Sequence, residues 1–327
     1  MRRRLTWILA CAIFAIGAGA ATAQQTRKVA HVGYLAAVSA AADAPRLEAF
    51  RQGLRDHGYF EGQNLILDLR HEGRSLDRLP ALADELVASK VDVLVAVTSN
   101  AAVAASRATS TIPIVFMGVT DPVAAGLIDG LARPGRNATG VTNIAAILTP
   151  KRLQFLKSVV PGLERVAVLW DPRAPGSVPQ WQESQQAARD LGLQLYSMEV
   201  GSPDRYDAAF AIAVVARNTA VWVTLNPVAN SNQKLIAELA IKHGLPSICA
   251  RSDYVDYGCL LSYGPGYSNE GRDGARFVDR ILKGARPADL PVEQPTTFEL
   301  VINQKTAREL GVPLPPSVLF QADRVVE

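Results

Sequence analysis

Apolar residues along this chain come in short runs, separated by stretches in which they recur every three or four positions. Residues 29–35 (VAHVGYL) read as a first strand. Leu47, Phe50 and Leu54 form the stripe of a following helix, with Asp43 as its N-cap, Pro45 near its start and Gly58 at its end. Leu65, Leu67 and Leu69 alternate with Ile66, Asp68 and Arg70, the pattern of a strand with one wetter face near a sheet edge. Leu79, Leu82 and Leu86 mark the next helix. Residues 91–97 (VDVLVAV) are almost uninterrupted, as a parallel strand covered on both faces should be. An Ala-rich helix capped by Ser99 or Asn100 comes next, then a strand over 112–119, then a helix opening at Thr120-Asp121-Pro122.

The turn-forming run 134–140 (PGRNATG) interrupts this rhythm, which then restarts. Thr149-Pro150 opens a helix. Strands are expected at 165–170, 193–200, 221–225, 245–250, 259–263 and 298–302, with helices between them, one of these over 268–283, and a last helix capped by Asn303. Strand–helix–strand alternation implies parallel sheets with right-handed crossovers. A chain of this length exceeds one compact core. The expected fold class is therefore α/β: two Rossmann-like lobes, each with four or five strands, joined by a hinge of several strands near Asn143, Tyr263 and Leu290. The first lobe is expected to take 24–142 and about 264–290, and the second 143–263, with 291–327 set beside it.

In open parallel sheets a ligand lies outside the carboxyl ends of the strands, which names the candidate residues. Ala37 follows the first strand, where small side chains allow close approach. Ser99 and Asn100 follow 91–97, where a helix N-terminus offers free backbone N–H groups to a carboxylate. Thr120 and Asp121 follow the next strand; Asp121 is a partner for an ammonium or a helix cap. Asn143 lies at the crossover, as a ligand contact or a hinge residue. In the second half Trp170 offers a stacking face beside Asp171. Asn226 ends 221–225, Arg251 is a bidentate partner for a carboxylate near Asp253, and Tyr263 ends 259–263, before the hinge turn Gly264-Pro265-Gly266.

Composition narrows the picture further. Arg2, Arg3 and Arg4, the apolar run 5–21 and Ala21-Thr22-Ala23 make a secretory signal peptide over 1–23, cleaved before Gln24. The 34 basic and 31 acidic residues of the chain then come into balance, which argues against a nucleic-acid partner. After export Cys249 and Cys259 remain in an oxidising compartment, and spacing leaves a disulfide and two buried thiols equally open. The four histidines are scattered, so neither a metal nor another cofactor is expected. Nucleophile-elbow, P-loop, zinc-protease and dinucleotide motifs are missing, and the chain reads as a binding protein and not an enzyme.

Several segments together resemble one family: 50–55 (FRQGLR) with 58–64 (GYFEGQN), 108–115 (ATSTIPIV), 121–123 (DPV) with Gly126-Leu127, 131–135 (LARPG), 290–295 (LPVEQP) and 298–303 (FELVIN). They are similar to the solute-binding proteins of ABC transporters, tryptophan/tyrosine-type, with a type I periplasmic binding protein fold. The resemblance implies a periplasmic receptor, itself monomeric, that closes on a small solute such as an amino acid or aromatic acid. It also implies a membrane permease and an ATPase as partners. It places Ser99-Asn100, Thr120-Asp121, Asn143, Asn226 and the 251–253 loop at the cleft. The chain departs from the family's usual Thr-Pro at Ser99-Asn100 and from its frequent Asn at Asp171. A ligand-sensing subunit for a membrane kinase would have the same receptor sequence, and an exported hydrolase would show turnover.

Overall fold

Two sheets organise the chain, and the computed structural model describes residues 29–73 and 75–327. The expected signal peptide lies outside the described residues. The first sheet holds β1 (Ala30–Ala36), β2 (Leu65–His71), β3 (Val93–Val97), β4 (Ile114–Val119) and β5 (Ala138–Thr142), all parallel, in the order β2-β1-β3-β4-β5. Its helices are α1 (Ala40–Asp56), α2 (Leu79–Ala88) and α3 (Thr98–Ala108). Alternation along β3 explains why the run 91–97 is apolar throughout. Val93, Val95 and Val97 join the core containing Phe50, Leu54 and Phe277, while Leu94 and Ala96 join the opposite core with Leu82, Leu86 and Ala101.

The second lobe begins with α4 (Thr149–Val159), β6 (Arg165–Trp170), α5 (Val178–Leu191), β7 (Gln194–Glu199), α6 (Tyr206–Val215) and β8 (Ala220–Val223). It continues with α7 (Pro227–Asn230), α8 (Gln233–Lys242), β9 (Ser247–Cys249), α9 (Asp253–Asp256) and β10 (Leu261–Gly264). The chain then crosses back: α10 (Tyr267–Leu282) packs along α1 of the first lobe. It returns through β11 (Glu299–Asn303), α11 (Gln304–Glu309), α12 (Pro316–Leu319) and β12 (Arg324–Val326). The second sheet runs β12-β11-β10-β9-β8-β6-β7. β6 repeats the two-faced logic, with Val166 and Val168 facing one core and Ala167 and Leu169 the other.

Three segments connect the lobes, after β5, after β10 and before β11. The third is zipped onto β5: the Thr142 N–H donates to the Glu293 carbonyl at 2.9 Å and the Glu293 N–H to the Gly140 carbonyl at 3.0 Å. Arg152 of α4, fully buried, ties the other two together. It donates to the carbonyls of Ala145 and Tyr263, both at 2.7 Å, and stacks over Trp222.

Several local expectations are corrected. The second sheet has seven strands rather than four or five: all six strands expected after 165 join it, and β12 adds a three-residue edge too short to show a period. It is not wholly parallel, since β10 and β11 run antiparallel. Ser39, not Asp43, caps α1, its hydroxyl accepting the Ala42 N–H at 3.3 Å. No helix opens at Thr120-Asp121-Pro122, because the Asp121 carboxylate holds the N–H groups of Val123 and Ala124 in a turn that Gly126 completes at φ +70°. Neither Ser99 nor Asn100 caps α3, which springs directly from β3 at Val97 with no side-chain cap. Of the two cysteine alternatives, the disulfide between Cys249 and Cys259 is the one formed.

Candidate functional site

The order of the first sheet reverses direction beside β1, and that of the second beside β6, so both topological switch points open toward the same gap between the lobes. The strand ends there carry little apolar bulk. Thr98, Ser99 and Asn100 leave β3, Gly118 and Thr120 end β4, and Asn143 follows β5. From the second lobe come Gly176, Leu225, Asn226, Pro227 and Asn230. Together with Arg46 these residues enclose a cavity of ≈ 20 Å³, about the space one water needs. The lobes are closed on each other. A Cβ added to Gly176 would come within 2.8 Å of Thr120 Oγ1 and 2.9 Å of Ser99 Oγ. The Ser39 N–H donates across the gap to Ser231 Oγ at 2.9 Å.

Each wall has its own supports. Ser99 Oγ is spent on the Thr120 N–H at 3.2 Å, which is why it does not cap α3. Asn143 donates to the Gly118 carbonyl at 2.8 Å and accepts the Ala145 N–H at 2.9 Å, so it locks the end of β4 to the first hinge segment. Thr98 sits at φ +80°, a costly conformation for a β-branched residue that the surroundings must enforce. Its Oγ1 and the Asn100 Oδ1 are buried without a hydrogen-bond partner. On the other wall Asn226 caps α7 through the Ala229 N–H at 2.8 Å. Asn230 Oδ1 accepts from the Tyr254 hydroxyl at 3.2 Å. Gln180 behind them donates to the carbonyls of Gly176 and Leu225 and accepts the Leu225 N–H at 2.9 Å.

A charged cluster borders the cavity where α1 meets α10. Arg46 is 4% exposed and donates from NH1 to Asp43 Oδ1 at 2.9 Å and from Nε to Glu270 Oε2 at 3.0 Å. Asp43, wholly buried, also accepts from the Tyr34 hydroxyl at 2.8 Å and lies 3.1 Å from His71 Nε2. Burial, reinforced by Asp43, pushes the Tyr34 phenol well above its ordinary range, so it stays a donor. Burial also pushes the Glu270 carboxyl up, against the pull of Arg46 and Arg251. From the second lobe Arg251 makes a two-pronged pair with Asp253, at 2.9 and 2.5 Å, and Gln233 adds a third bond at 2.8 Å. Burial opposes the charge of Asp253, but these partners hold its carboxyl below the usual carboxylate range.

The structure therefore brings together Ser99, Asn100, Thr120, Asn143 and Asn226 from the expected set. Arg251 and Asp253 stand in the charged cluster and do not line the cavity. The five remaining residues face elsewhere. Ala37 is packed in the apolar core with Leu35 and Leu79. Asp121 is exposed, holding its own turn. Trp170 stacks on Trp181 with ring centroids 5.3 Å apart and donates to Ser197 Oγ, so its face is taken. Asp171, also buried, accepts from the Arg173 backbone at 2.9 Å and pairs with its guanidinium. The Tyr263 ring packs between Phe155 and Phe298. The expected set leaves out Arg46 and Glu270, and the sequence reading gives Asp43 only as a helix cap. Their signal was available: Asp43 and Arg46 share the helical stripe of Leu47 and Phe50, and Glu270 that of Phe277. A charge on a buried stripe demands a partner.

The comparisons with known proteins converge on one group. A tyrosine-binding protein from Clostridioides difficile (strain R20291) is 25% identical over 279 residues, covering 84% of this chain and 80% of that protein. A conserved domain protein from Vibrio cholerae superposes with a TM-score of 0.87 at 28% identity, over 91% of this chain and all of the other. An ABC domain from Streptococcus pneumoniae, solved in complex with L-Trp, superposes at 0.85 with 26% identity, over 91% and 99%. The model of the family described as ABC transporter substrate binding protein matches residues 31–326, and the chain belongs to that family.

Proposed function

We propose that the protein is the exported receptor of an ABC importer, and that it closes its lobes on a small solute of the amino-acid class and presents the closed form to a membrane permease and its ATPase. The observation that carries this reading is the polar interlobe cleft, lined from both lobes and closed here to about the space of one water, into which α3 directs an N-terminus with no side-chain cap. A helix start of this kind favours an anion through its free N–H groups and its dipole. The partnerless Thr98 Oγ1 and Asn100 Oδ1 stand at the same place. The tyrosine-binding relative and the relative complexed with L-Trp support an amino acid as the class of cargo. The work the protein does is binding and release. Solute docks while the lobes are apart, and the hinge closes because contacts to both walls favour the closed state. Catalysis has no part in this cycle.

The test is a thermal-shift and calorimetric screen of the chain from Gln24 onward against the amino acids, with scattering to follow closure. One amino acid should raise the melting temperature by mass action, about 2.7 kcal/mol of stability at a hundredfold excess over Kd, with one site and a decrease in radius of gyration. A screen in which no amino acid shifts the transition would overturn the amino-acid reading.

A further inference from the structure

We infer that Glu270 is the group that recognises the ligand's ammonium, so that this receptor selects amino acids against carboxylic acids of the same skeleton. The inference deepens the receptor reading above and rests on it. Glu270 is 3% exposed. One carboxylate oxygen, Oε2, accepts from Arg46 Nε at 3.0 Å, while the other, Oε1, is buried with no hydrogen-bond partner. Buried carboxylate oxygens are rarely left so, and one that is asks for a donor. The place of that donor follows from the backbone. A Cβ added to Gly118 would lie 3.1 Å from Oε2 and 3.5 Å from Oε1, and Gly118 is part of the cavity wall. The carboxylate thus lies directly behind Gly118, a wall residue whose missing side chain and φ of +70° put no Cβ between the cavity and Glu270.

Charge decides which donor. Around this corner stand three carboxylates, Asp43, Asp253 and Glu270, and two guanidiniums, Arg46 and Arg251, with His71 and Tyr34 the other titratable groups facing them. Among the described groups the carboxylates outnumber the guanidiniums, which favours a cationic donor over a neutral hydroxyl or amide. The neighbouring strand end adds suitable company: Val97 and Met117 are paired in register, so Thr98 and Gly118 leave adjacent strands side by side, and Thr98 Oγ1 also lacks a partner. Burial already pushes Glu270 upward, so an arriving ammonium is favoured by relief of a poorly solvated carboxylate. Affinity should then fall on acidification through a range above that of an ordinary carboxyl, as Glu270 takes up a proton.

The experiment compares matched pairs by calorimetry on the whole exported chain: L-alanine with propionate, L-glutamate with glutarate, L-tyrosine with 3-(4-hydroxyphenyl)propionate and L-tryptophan with indole-3-propionate. In the pair that binds, the deaminated member should be weaker by on the order of 100-fold, the scale of a buried charge left unpaired. Glu270→Gln should bring the amino acid to the level of its deaminated partner and flatten the acid dependence, with the unliganded melting temperature held or raised. Glu270→Asp, which keeps the charge, should recover part of the loss. Equal binding of both members of a pair, or wild-type affinity in Glu270→Gln, overturns the inference and leaves the receptor standing. Binding by no member of any pair, together with a negative screen of all the amino acids, removes the amino-acid reading and the inference with it. Since the wild-type comparison needs no variant, a misfolded substitution does not blunt the test.

Discussion

The two walls of the cleft differ in how finished they are. On the first-lobe wall Thr98 Oγ1 and Asn100 Oδ1 are buried without partners, as is Glu270 Oε1 behind Gly118, and Thr98 is held at a strained φ. The second-lobe wall is made of groups already engaged inside their own lobe: Asn226 caps a helix, Asn230 accepts from Tyr254, and Gln180 fixes the backbone of Gly176 and Leu225. A surface with unmet hydrogen bonds is where a polar ligand gains most, and a satisfied surface gains little beyond excluding water. The difference assigns separate tasks, with the first lobe recognising the solute and the second acting as a rigid lid whose fit sets the closed state.

That division breaks most sharply at Gly176. A methyl there meets Thr120 Oγ1 and Ser99 Oγ at less than 3 Å, across the gap and not within its own lobe. Gly176→Ala should leave the unliganded melting temperature unchanged and weaken ligand binding on the order of 100-fold, because the closed state becomes sparsely populated and apparent affinity scales with that population. Calorimetry and scattering on the same sample check both parts. An affinity loss accompanied by a large fall in melting temperature would mean that Gly176 supports the second lobe itself, and the lid picture would fail.

Thr98 sharpens the comparison from the recognising side. Its φ of +80° costs about 1–3 kcal/mol in a residue of this kind, and glycine adopts it without strain. Thr98→Gly should therefore raise the melting temperature of the unliganded protein while lowering affinity about tenfold, through loss of the buried hydroxyl. Stability and binding moving in opposite directions is the signature of strain kept for a function; a loss of both would show that Thr98 serves only the fold.

Much of the fold was open to reading because parallel strands covered on both faces leave uninterrupted apolar runs, as at 91–97 and 165–170, and because turn residues punctuate them. What failed was set by neighbours distant in sequence. The pattern offers Ser99 or Asn100 as a cap, but the Ser99 hydroxyl is drawn instead to the Thr120 N–H on the next strand. The edge strand β12 gains its place only by pairing with β11. At the cleft, the rule that ligands sit at the carboxyl ends of strands led to Ser99, Asn100, Thr120, Asn143 and Asn226, all of which line the cavity. The same rule could not find Arg46, which reaches the cavity from a face of α1, or Glu270 of α10 paired with it, nor could it tell that Trp170 spends its face on Trp181. Gly118 and Gly176 left no chemical signal at all, since their contribution is the absence of a side chain.

The smallest effect on binding is expected from the disulfide, and its smallness is informative. Cys249 and Cys259, ten positions apart, close the loop that carries Arg251 and Asp253, the charged element by which the second lobe approaches Glu270. If the second lobe is a lid made rigid by its own bonds, the loop keeps its shape through the Arg251–Asp253 pair and the Gln233 amide. Removing the disulfide should then cost stability more than recognition. The double variant Cys249→Ser, Cys259→Ser should lose about 2–3 kcal/mol of unfolding free energy, the loop-closure contribution for a loop of this size, and only about two- to threefold in affinity. Denaturant unfolding and calorimetry on one preparation separate the two. A loss of affinity as large as that of Gly176→Ala would show that the cross-link, and not the polar bonds, positions Arg251, and that the second wall is less complete than its hydrogen bonds imply.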